Sequence, residues 1–189
     1  MALLFTLACE SPVYAPKPRA YPKVNYPERE YVRLDKDYCA FSFEYPSYMN
    51  VVQDKRYFDE ESKHECWFDL YMEAFDSRLH CTYYPIQSRD DFEKLLVDAF
   101  ELAGKHNSRA DYIEERPIQQ AGNVKGFGFE IEGPAASPFQ FFVTDSTQHF
   151  FRASLYFNTQ ARPDSLAPVY QFVKHDINKI IETFQWQQK

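Results

Sequence analysis

Proline is concentrated near the start of this chain, where five of its twelve prolines fall within residues 12–27. Proline fixes φ, has no amide N–H and biases the residue before it toward extended conformations. The tract is therefore excluded from helix interiors and central strands, and it predicts an extended, polyproline-like arm. At 3.1 Å per residue the arm would span roughly 55 Å from Cys9 to Pro27. An arm that wraps around the domain surface through its tyrosines is an open alternative.

A short apolar segment, LLFTLAC at residues 3–9, precedes the arm. Its residues do not alternate in polarity, so as a strand it would have to be buried on both faces, with nothing nearby in sequence to cover it. Ala8 directly before Cys9 is instead the arrangement that lipoprotein signal peptidase cleaves, after which the cysteine carries a lipid. We expect residues 1–8 to be the remaining end of such a signal, with a longer start upstream, because they are few and include no basic residue. An ordinary free cysteine at position 9 is the alternative.

Charge is unevenly distributed along the 189 residues. Residues 1–33 contain five basic and three acidic side chains, a charge of +2, which leaves −9 for the remainder given the total of −7. An acidic domain argues against binding nucleic acid or an anionic membrane surface. The length fits one domain with a tail, and no later window has the ~18 consecutive apolar residues of a membrane-spanning helix. We assign residues 9–34 to a Pro-rich tether and residues 35–189 to a globular domain.

Two hydrophobic periodicities organise the acidic domain. Alternating apolar residues and short apolar runs predict strands at 38–46, 65–75, 77–86, 110–118, 123–133, 137–145 and 148–157. Apolar residues three and four positions apart predict helices at 88–106 and about 165–184. The short, hairpin-like connections predict antiparallel pairing and, with two helices to cover the sheet, a single-domain α+β fold. A two-residue loop at Asp76 and Ser77 would place Met72 opposite Cys81.

Two patterns suggest enzyme chemistry and fail on inspection. Asp145, Ser146 and His149 are the residue types of a hydrolase triad, but working triads converge from separated parts of a chain, whereas these residues are typical of a hairpin turn. Gly126 and Gly128 lie in a predicted strand and lack the third glycine of a dinucleotide-binding turn. They indicate a bulge or a close backbone approach instead.

The cysteines and nearby histidines suggest either a metal site or a disulfide. His64, Cys66, His80 and Cys81 are zinc-binding residue types, but strand alternation puts His80 and Cys81 on opposite faces, so at most three could converge. We prefer buried core cysteines. In an oxidising compartment the three cysteines other than the lipidated one allow one internal disulfide. Cys39 with Cys66 is the least excluded pair, because both lie at the starts of strands.

Five segments of the chain together resemble one protein family. They are VYAPKPRAYPK, FSFEYPSYM, CWFDLYM, FQFFVTDSTQHFFRASLYFN and DSLAPVYQFVKHDINKIIETFQW. Taken in order from Cys9 to Trp186, they resemble the gliding motility lipoprotein GldD of the Bacteroidota. At the level of the fold, FSFEYP before a meander and a terminal helix is similar to the PsbP/Mog1-like α-β-α sandwiches.

The resemblance implies a non-catalytic cell-envelope lipoprotein that is required for gliding motility and associated with the type IX secretion machinery. It implies acylation of Cys9, by chains such as palmitate, with no cofactor beyond this covalent lipid. Its partners would be other envelope proteins of the gliding and secretion machinery. It would face the periplasm, and we favour the outer over the inner membrane. The alternative function is a periplasmic ligand-binding domain for a glycan or a lipid, whose pocket the many aromatic residues would line.

Overall fold

The computed structural model describes residues 23–53, 56–57, 60–61, 64–159 and 163–187. Its strands are β1 (Tyr31–Asp35), β2 (Phe41–Pro46), β3 (Asn50–Val52), β4 (Arg56–Tyr57), β5 (Glu60–Glu61), β6 (Phe68–Met72), β7 (Ser77–Pro85), β8 (Tyr112–Gln120), β9 (Val124–Glu132), β10 (Phe139–Thr144), β11 (His149–Phe157) and β12 (Gln185–Trp186). The helices are α1 (Arg89–Gly104) and α2 (Pro163–Thr183), and short 3-10 segments cover Glu73–Phe75 and Lys105–Ser108.

The strands form one large and two small sheets. The seven-stranded sheet has the order β3-β6-β7-β11-β10-β9-β8, the three-stranded sheet has the order β1-β2-β12, and β4 pairs with β5. The pairs described are all antiparallel. With two helices beside these antiparallel sheets, the architecture confirms the single-domain α+β prediction.

The larger core lies on the α2 side of the seven-stranded sheet. It joins the apolar stripe of α2, the inner face of the three-stranded sheet and one face of the large sheet. Phe41 and Phe43 of β2 stack on Phe184 after α2, and all three rings contact Phe151 of β11 at centroid distances of 4.9 to 6.1 Å. Fully burying a phenylalanine stabilises a fold by about 1.5–3 kcal/mol, so these aromatic residues act mainly as core.

Helix α1 covers part of the opposite face of the large sheet. It begins as predicted, because Ser88 Oγ accepts a hydrogen bond from the amide of Asp91 at 3.1 Å. Its buried residues Ala99 and Ala103 pack in a second core cluster with Phe129, Phe142 and Phe150. The domain is therefore layered, with α2 and the three-stranded sheet on one side of the seven-stranded sheet and α1 on the other.

The predicted register of the β6–β7 hairpin is wrong. Cys81 pairs with Phe68, and Met72 pairs with Ser77. The connection is a 3-10 turn over Glu73–Phe75 followed by Asp76 in the left-handed region (φ 42°), rather than a two-residue loop. The longer connection moves the register but preserves the parity of the pairing, so the predicted core face is still correct.

The N-terminal part of the domain begins earlier than the tether boundary at residue 34 predicts. Strand β1 pairs with β2 from Tyr31 to Asp35, and Leu34 is buried in the main core. Val24 also packs against this core. Residues assigned to the tether therefore contribute strand β1. This strand carries too few apolar residues to produce a detectable periodicity in the sequence.

Gly126 marks a close backbone approach, one of the two predicted alternatives. A Cβ atom at this position would lie 1.8 Å from the carbonyl oxygen of Phe142 on the neighbouring strand β10. Any side chain would therefore force β9 away from β10.

Candidate functional site

The predicted lipid attachment residue, Cys9, lies outside the described residues, as do residues 1–8 and the arm up to residue 22. The described part of the arm begins at Lys23. Lipid attachment stays a prediction, whereas the junction between the arm and the domain is defined in atomic detail.

A buried carboxylate in the middle of α2 fixes the arm to the domain. Asp176 has no exposed side-chain surface, and its Oδ1 accepts hydrogen bonds from Arg29 Nε at 2.9 Å and Tyr31 Oη at 2.6 Å. Its Oδ2 accepts from Tyr48 Oη at 2.6 Å. These donors compensate a buried charge that would otherwise be strongly destabilising. We call these four residues the arm anchor.

Aromatic contacts extend the arm anchor along the chain. The Arg29 guanidinium lies 3.9 Å from the centroid of the Phe172 ring, and its Nη2 donates to the Phe172 carbonyl oxygen at 3.1 Å. The Tyr26 ring centroid lies 4.7 Å from that of Phe172 and 6.1 Å from that of Phe75. Residues 26–31 are therefore held by a cation–π contact, ring packing and charge-assisted hydrogen bonds.

The two tyrosines of the arm anchor are protonated donors. Burial, followed by the hydrogen bond to Asp176, raises the pKa of Tyr31 to about 12. The same two causes, in the same order, raise the pKa of Tyr48. Both hydroxyls therefore keep a proton to donate to the carboxylate at neutral pH.

Sequence reasoning missed the arm anchor, although one local signal marks it. Asp176 is a charged residue on the apolar stripe of α2, three positions after Val173 and four before Ile180. A carboxylate at such a position needs partners. Its partner Arg29 is 147 positions away in sequence, so no local pattern could identify it.

A cleft of about 800 Å³ opens at one end of the domain, where several turns meet. The β8–β9 turn, the β10–β11 turn, the residue before β2 and the end of β12 all contribute to it. Its polar and aromatic lining consists of Asn123, Asp145, Gln148, His149, Trp186 and Gln187. We call it the Trp186 cleft. Amide and aromatic side chains dominate this lining, which gives it a polar but nearly uncharged surface.

The aromatic wall of the Trp186 cleft is held by a hydrogen bond from the core. The rings of His149 and Trp186 stack at a centroid distance of 5.2 Å and an angle of 25°. Burial raises the pKa of Tyr83 to about 12, and its protonated hydroxyl shares a hydrogen bond of 2.7 Å with His149 Nδ1. Burial also lowers the pKa of His149 despite the opposing effect of Asp145. The His149 ring is therefore mainly neutral at pH 7.

A buried polar atom in the wall of the Trp186 cleft lacks a partner. Trp186 Nε1 is an obligate donor, it is inaccessible to solvent, and no described residue accepts its hydrogen bond. Such atoms are rare in folded proteins and indicate a bound water, a ligand or a strained site.

Asp145, Ser146 and His149 form a turn, as the sequence indicates, and not a triad. Asp145 Oδ1 accepts hydrogen bonds from the backbone amides of Thr147, Gln148 and His149 at 2.8 to 2.9 Å. Burial raises the pKa of Asp145, but these amide hydrogen bonds outweigh burial and the pKa is lowered overall. Ser146 has a positive φ of 67°. The three residues thus shape the rim of the Trp186 cleft.

Cys39 and Cys66 are joined by a disulfide across 27 positions of sequence, and Cys81 is a buried free thiol. Burial raises the pKa of the Cys81 thiol well above its ordinary value. His80 Nδ1 lies 2.7 Å from a carboxylate oxygen of Asp69 rather than near the cysteines. Across the described ranges, no group of three or more His, Cys, Asp and Glu side chains is placed to hold a metal ion.

Asp69, His80 and Ser154 are paired in register across β6, β7 and β11, which is the order of residues in a Ser–His–Asp triad. Ser154 Oγ is buried, however, and has no hydrogen-bond partner among the described residues, so His80 does not activate it. The row therefore lacks the contact between base and nucleophile that hydrolysis requires.

The helices of the described residues include none that is long and apolar enough to cross a membrane.

An acidic α+β domain with an aromatic core and an N-terminal arm fixed to its last helix is the class of protein that the structure defines. The gliding motility lipoprotein GldD family matches residues 11–186, so the chain belongs to this family. A comparison with curated proteins finds no match. Among solved structures, the solution structure of cyanobacterial PsbP (CyanoP) from Synechocystis sp. PCC 6803 is similar at 10% identity and a TM-score of 0.47, over 85% of this chain and 94% of that one.

Proposed function

We propose that this member of the GldD family is acylated on Cys9 and acts without catalysis, by binding other envelope proteins of the gliding and type IX secretion machinery. Elimination among the four cysteines supports the modified residue. Cys39 and Cys66 bond each other and Cys81 is buried, so Cys9 is the cysteine left to carry the lipid of a lipoprotein family. It also precedes the Pro-rich tract, as a membrane tether requires.

The arm anchor gives this proposal its mechanics. From Cys9 to Arg29, an extended chain reaches roughly 60 Å at 3.1 Å per residue, which holds the domain clear of the lipid headgroups. Because Arg29 is hydrogen-bonded to Asp176 in α2, a force applied to the arm is transmitted to a core helix and not to a loose terminus. A single acyl chain binds a membrane only marginally, so two or more chains on Cys9 are expected.

We favour protein contacts over catalysis because the described residues include no assembled triad. The triad-like row of Asp69, His80 and Ser154 lacks its base–nucleophile contact, and the core clusters are filled by aromatic residues. Such a domain acts by recognising partner proteins and by positioning them. We place it on the periplasmic face of the outer membrane.

A Cys9→Ala variant tests the anchoring step, with Ser11→Ala as the matched control two residues away. We expect Cys9→Ala to move from the membrane to the soluble fraction and to abolish gliding, while Ser11→Ala behaves as wild type. Separation of inner and outer membranes locates the wild-type protein, and secretion of a type IX cargo reports the second role. Membrane fractionation and motility that survive in Cys9→Ala would overturn the proposal.

The ligand-binding alternative has one specific observation in its favour, which is the Trp186 cleft. Its lining of amides, a neutral histidine and an indole is suited to a glycan and poorly suited to a lipid chain, which requires an apolar tunnel.

A further inference from the structure

We infer that the Trp186 cleft is a binding site for a neutral oligosaccharide. This goes beyond the role of a tethered protein-binding domain, because it gives the end of the domain that is remote from the arm a ligand of its own.

The chemistry of the lining selects this ligand class. A sugar ring presents an apolar C–H face together with hydroxyl groups that each donate one hydrogen bond and accept others. Trp186 and His149 offer aromatic surface for the C–H face. Asn123, Gln148 and Gln187 carry amides, which both donate and accept and therefore match hydroxyls better than they match ions. Asn123 Nδ2 already donates to the Asp145 carbonyl oxygen and Gln187 Nε2 to Asp35 Oδ1, so these two amides offer a ligand chiefly their oxygens.

The aromatic wall is also held in place by the core. The Tyr83 hydroxyl lies 2.7 Å from His149 Nδ1, and the His149 ring stacks on Trp186 at a centroid distance of 5.2 Å. A fixed aromatic surface beside a cleft of about 800 Å³ gives the C–H face of a sugar ring a specific position to bind.

The charge of the cleft argues against anionic ligands. Asp145 contributes the one carboxylate of the polar lining, and three backbone amides already bind its Oδ1. No lysine or arginine lines the cleft among the described residues, so it has no partner for a phosphate or an anionic lipid headgroup. Uncharged, hydroxylated ligands remain as the complementary class.

Topology places the cleft at the far end of the domain from the arm. Strand β11 runs from His149 at the cleft to Phe157 beside Ser77, near the turn that holds Phe75. Tyr26 of the arm packs on Phe75, about 26 Å from the cleft at ~3.3 Å per strand residue. The arm and the cleft can therefore be occupied at the same time, as bridging a membrane to a polysaccharide would require.

The test is a titration of the purified full chain with two neutral tetrasaccharides of different stereochemistry, chitotetraose and maltotetraose, followed by calorimetry and tryptophan fluorescence. The chain has only two tryptophans, Trp67 and Trp186, so a Trp67→Phe background makes the fluorescence report on the cleft. We expect saturable binding of at least one sugar, with a Kd on the order of 1 mM or tighter.

Variants locate the binding. Trp186→Ala and the double variant Gln148→Ala/Gln187→Ala are each expected to weaken binding roughly tenfold or more. The double variant removes an exposed amide at Gln148 and a half-buried amide at Gln187, and it keeps Trp186 in place if loss of the indole disturbs the core. Tyr112→Ala, which removes a 60% exposed aromatic residue outside the cleft lining, is the matched control and should bind as wild type.

Three results would overturn the inference. They are the absence of saturable binding by both sugars, binding that both cleft variants retain, and binding of lysophosphatidylcholine micelles in place of the sugars. None of these depends on lipid attachment, so failure here is distinguishable from failure of the Cys9→Ala experiment.

Discussion

The two ends of this domain treat buried polar groups in opposite ways. At the arm anchor, the carboxylate of Asp176 is fully buried and binds three side-chain donors. At the Trp186 cleft, the indole N–H is buried with no acceptor among the described residues. A satisfied network holds two segments together, whereas an unsatisfied buried donor marks a less optimised region, here beside an opening with an aromatic wall. The comparison distinguishes an attachment point from the proposed recognition point within one domain.

Removal of the acceptor at the arm anchor should have the largest effect on stability. Asp176→Ala leaves Arg29 and two tyrosine hydroxyls facing a buried position without their partner, which typically destabilises a fold by about 3–5 kcal/mol. Urea unfolding of Asp176→Ala and of Glu101→Gln, an exposed residue on α1, measures the difference. A free energy of unfolding equal to that of wild type in Asp176→Ala would show that the anchor contributes no attachment.

Loss of the disulfide beside the cleft end should have the second-largest effect on stability. Cys39 directly precedes the cleft residue Ala40, and its bond to Cys66 closes a loop 27 positions long. Loop-closure entropy predicts that Cys39→Ser/Cys66→Ser lowers the free energy of unfolding by about 3.5 kcal/mol. Equal unfolding midpoints for the wild-type protein with and without reductant would contradict this, and a thiol count under non-reducing denaturation provides the control.

High pH should weaken the arm anchor through its tyrosine hydroxyls. A raised pKa in the folded state means that the hydroxyl of Tyr31 stabilises fully below its ordinary pKa of 10 and that this contribution is lost as pH rises toward about 12. Thermal unfolding from pH 9 to 12 should therefore show a falling midpoint, and the fall should be shallower in Tyr31→Phe. A parallel fall in both proteins would assign the alkaline sensitivity to other groups. Tyr112→Phe serves as the control for loss of a tyrosine hydroxyl.

Low pH should have the smallest effect on stability, and this effect arises at the cleft end of the domain. Burial lowers the pKa of His149, so its contribution to stability is present above the ordinary pKa of 6.5 and is lost as pH falls through the lower folded value. Proton NMR of the imidazole signals should place the midpoint for His149 below 6.5. Tyr83→Phe removes the hydrogen bond to Nδ1 and should shift that midpoint. A midpoint at or above 6.5 would contradict the assignment of a neutral ring.

Much of the fold follows from residues close together in sequence. The short apolar run around Phe141 to Val143 predicts strand β10, and the Ser88 cap with its apolar stripe predicts α1. Short connections then predict antiparallel pairs. The prediction failed where a connection was not the simplest one, as at Glu73–Phe75, because Ala74 and Phe75 are apolar and do not mark the end of the strand.

The sites were less predictable than the fold. The sequence alone identified Cys9 as the candidate for lipid attachment, Cys39 with Cys66 as the least excluded disulfide pair, and Asp145 as a turn residue, since each depends on neighbours a few positions away. The tertiary structure decided that Arg29 meets Asp176 and that Trp186 stacks on His149. These contacts join positions 147 and 37 apart, and the energy that selects them comes from burial and pairing in the folded chain.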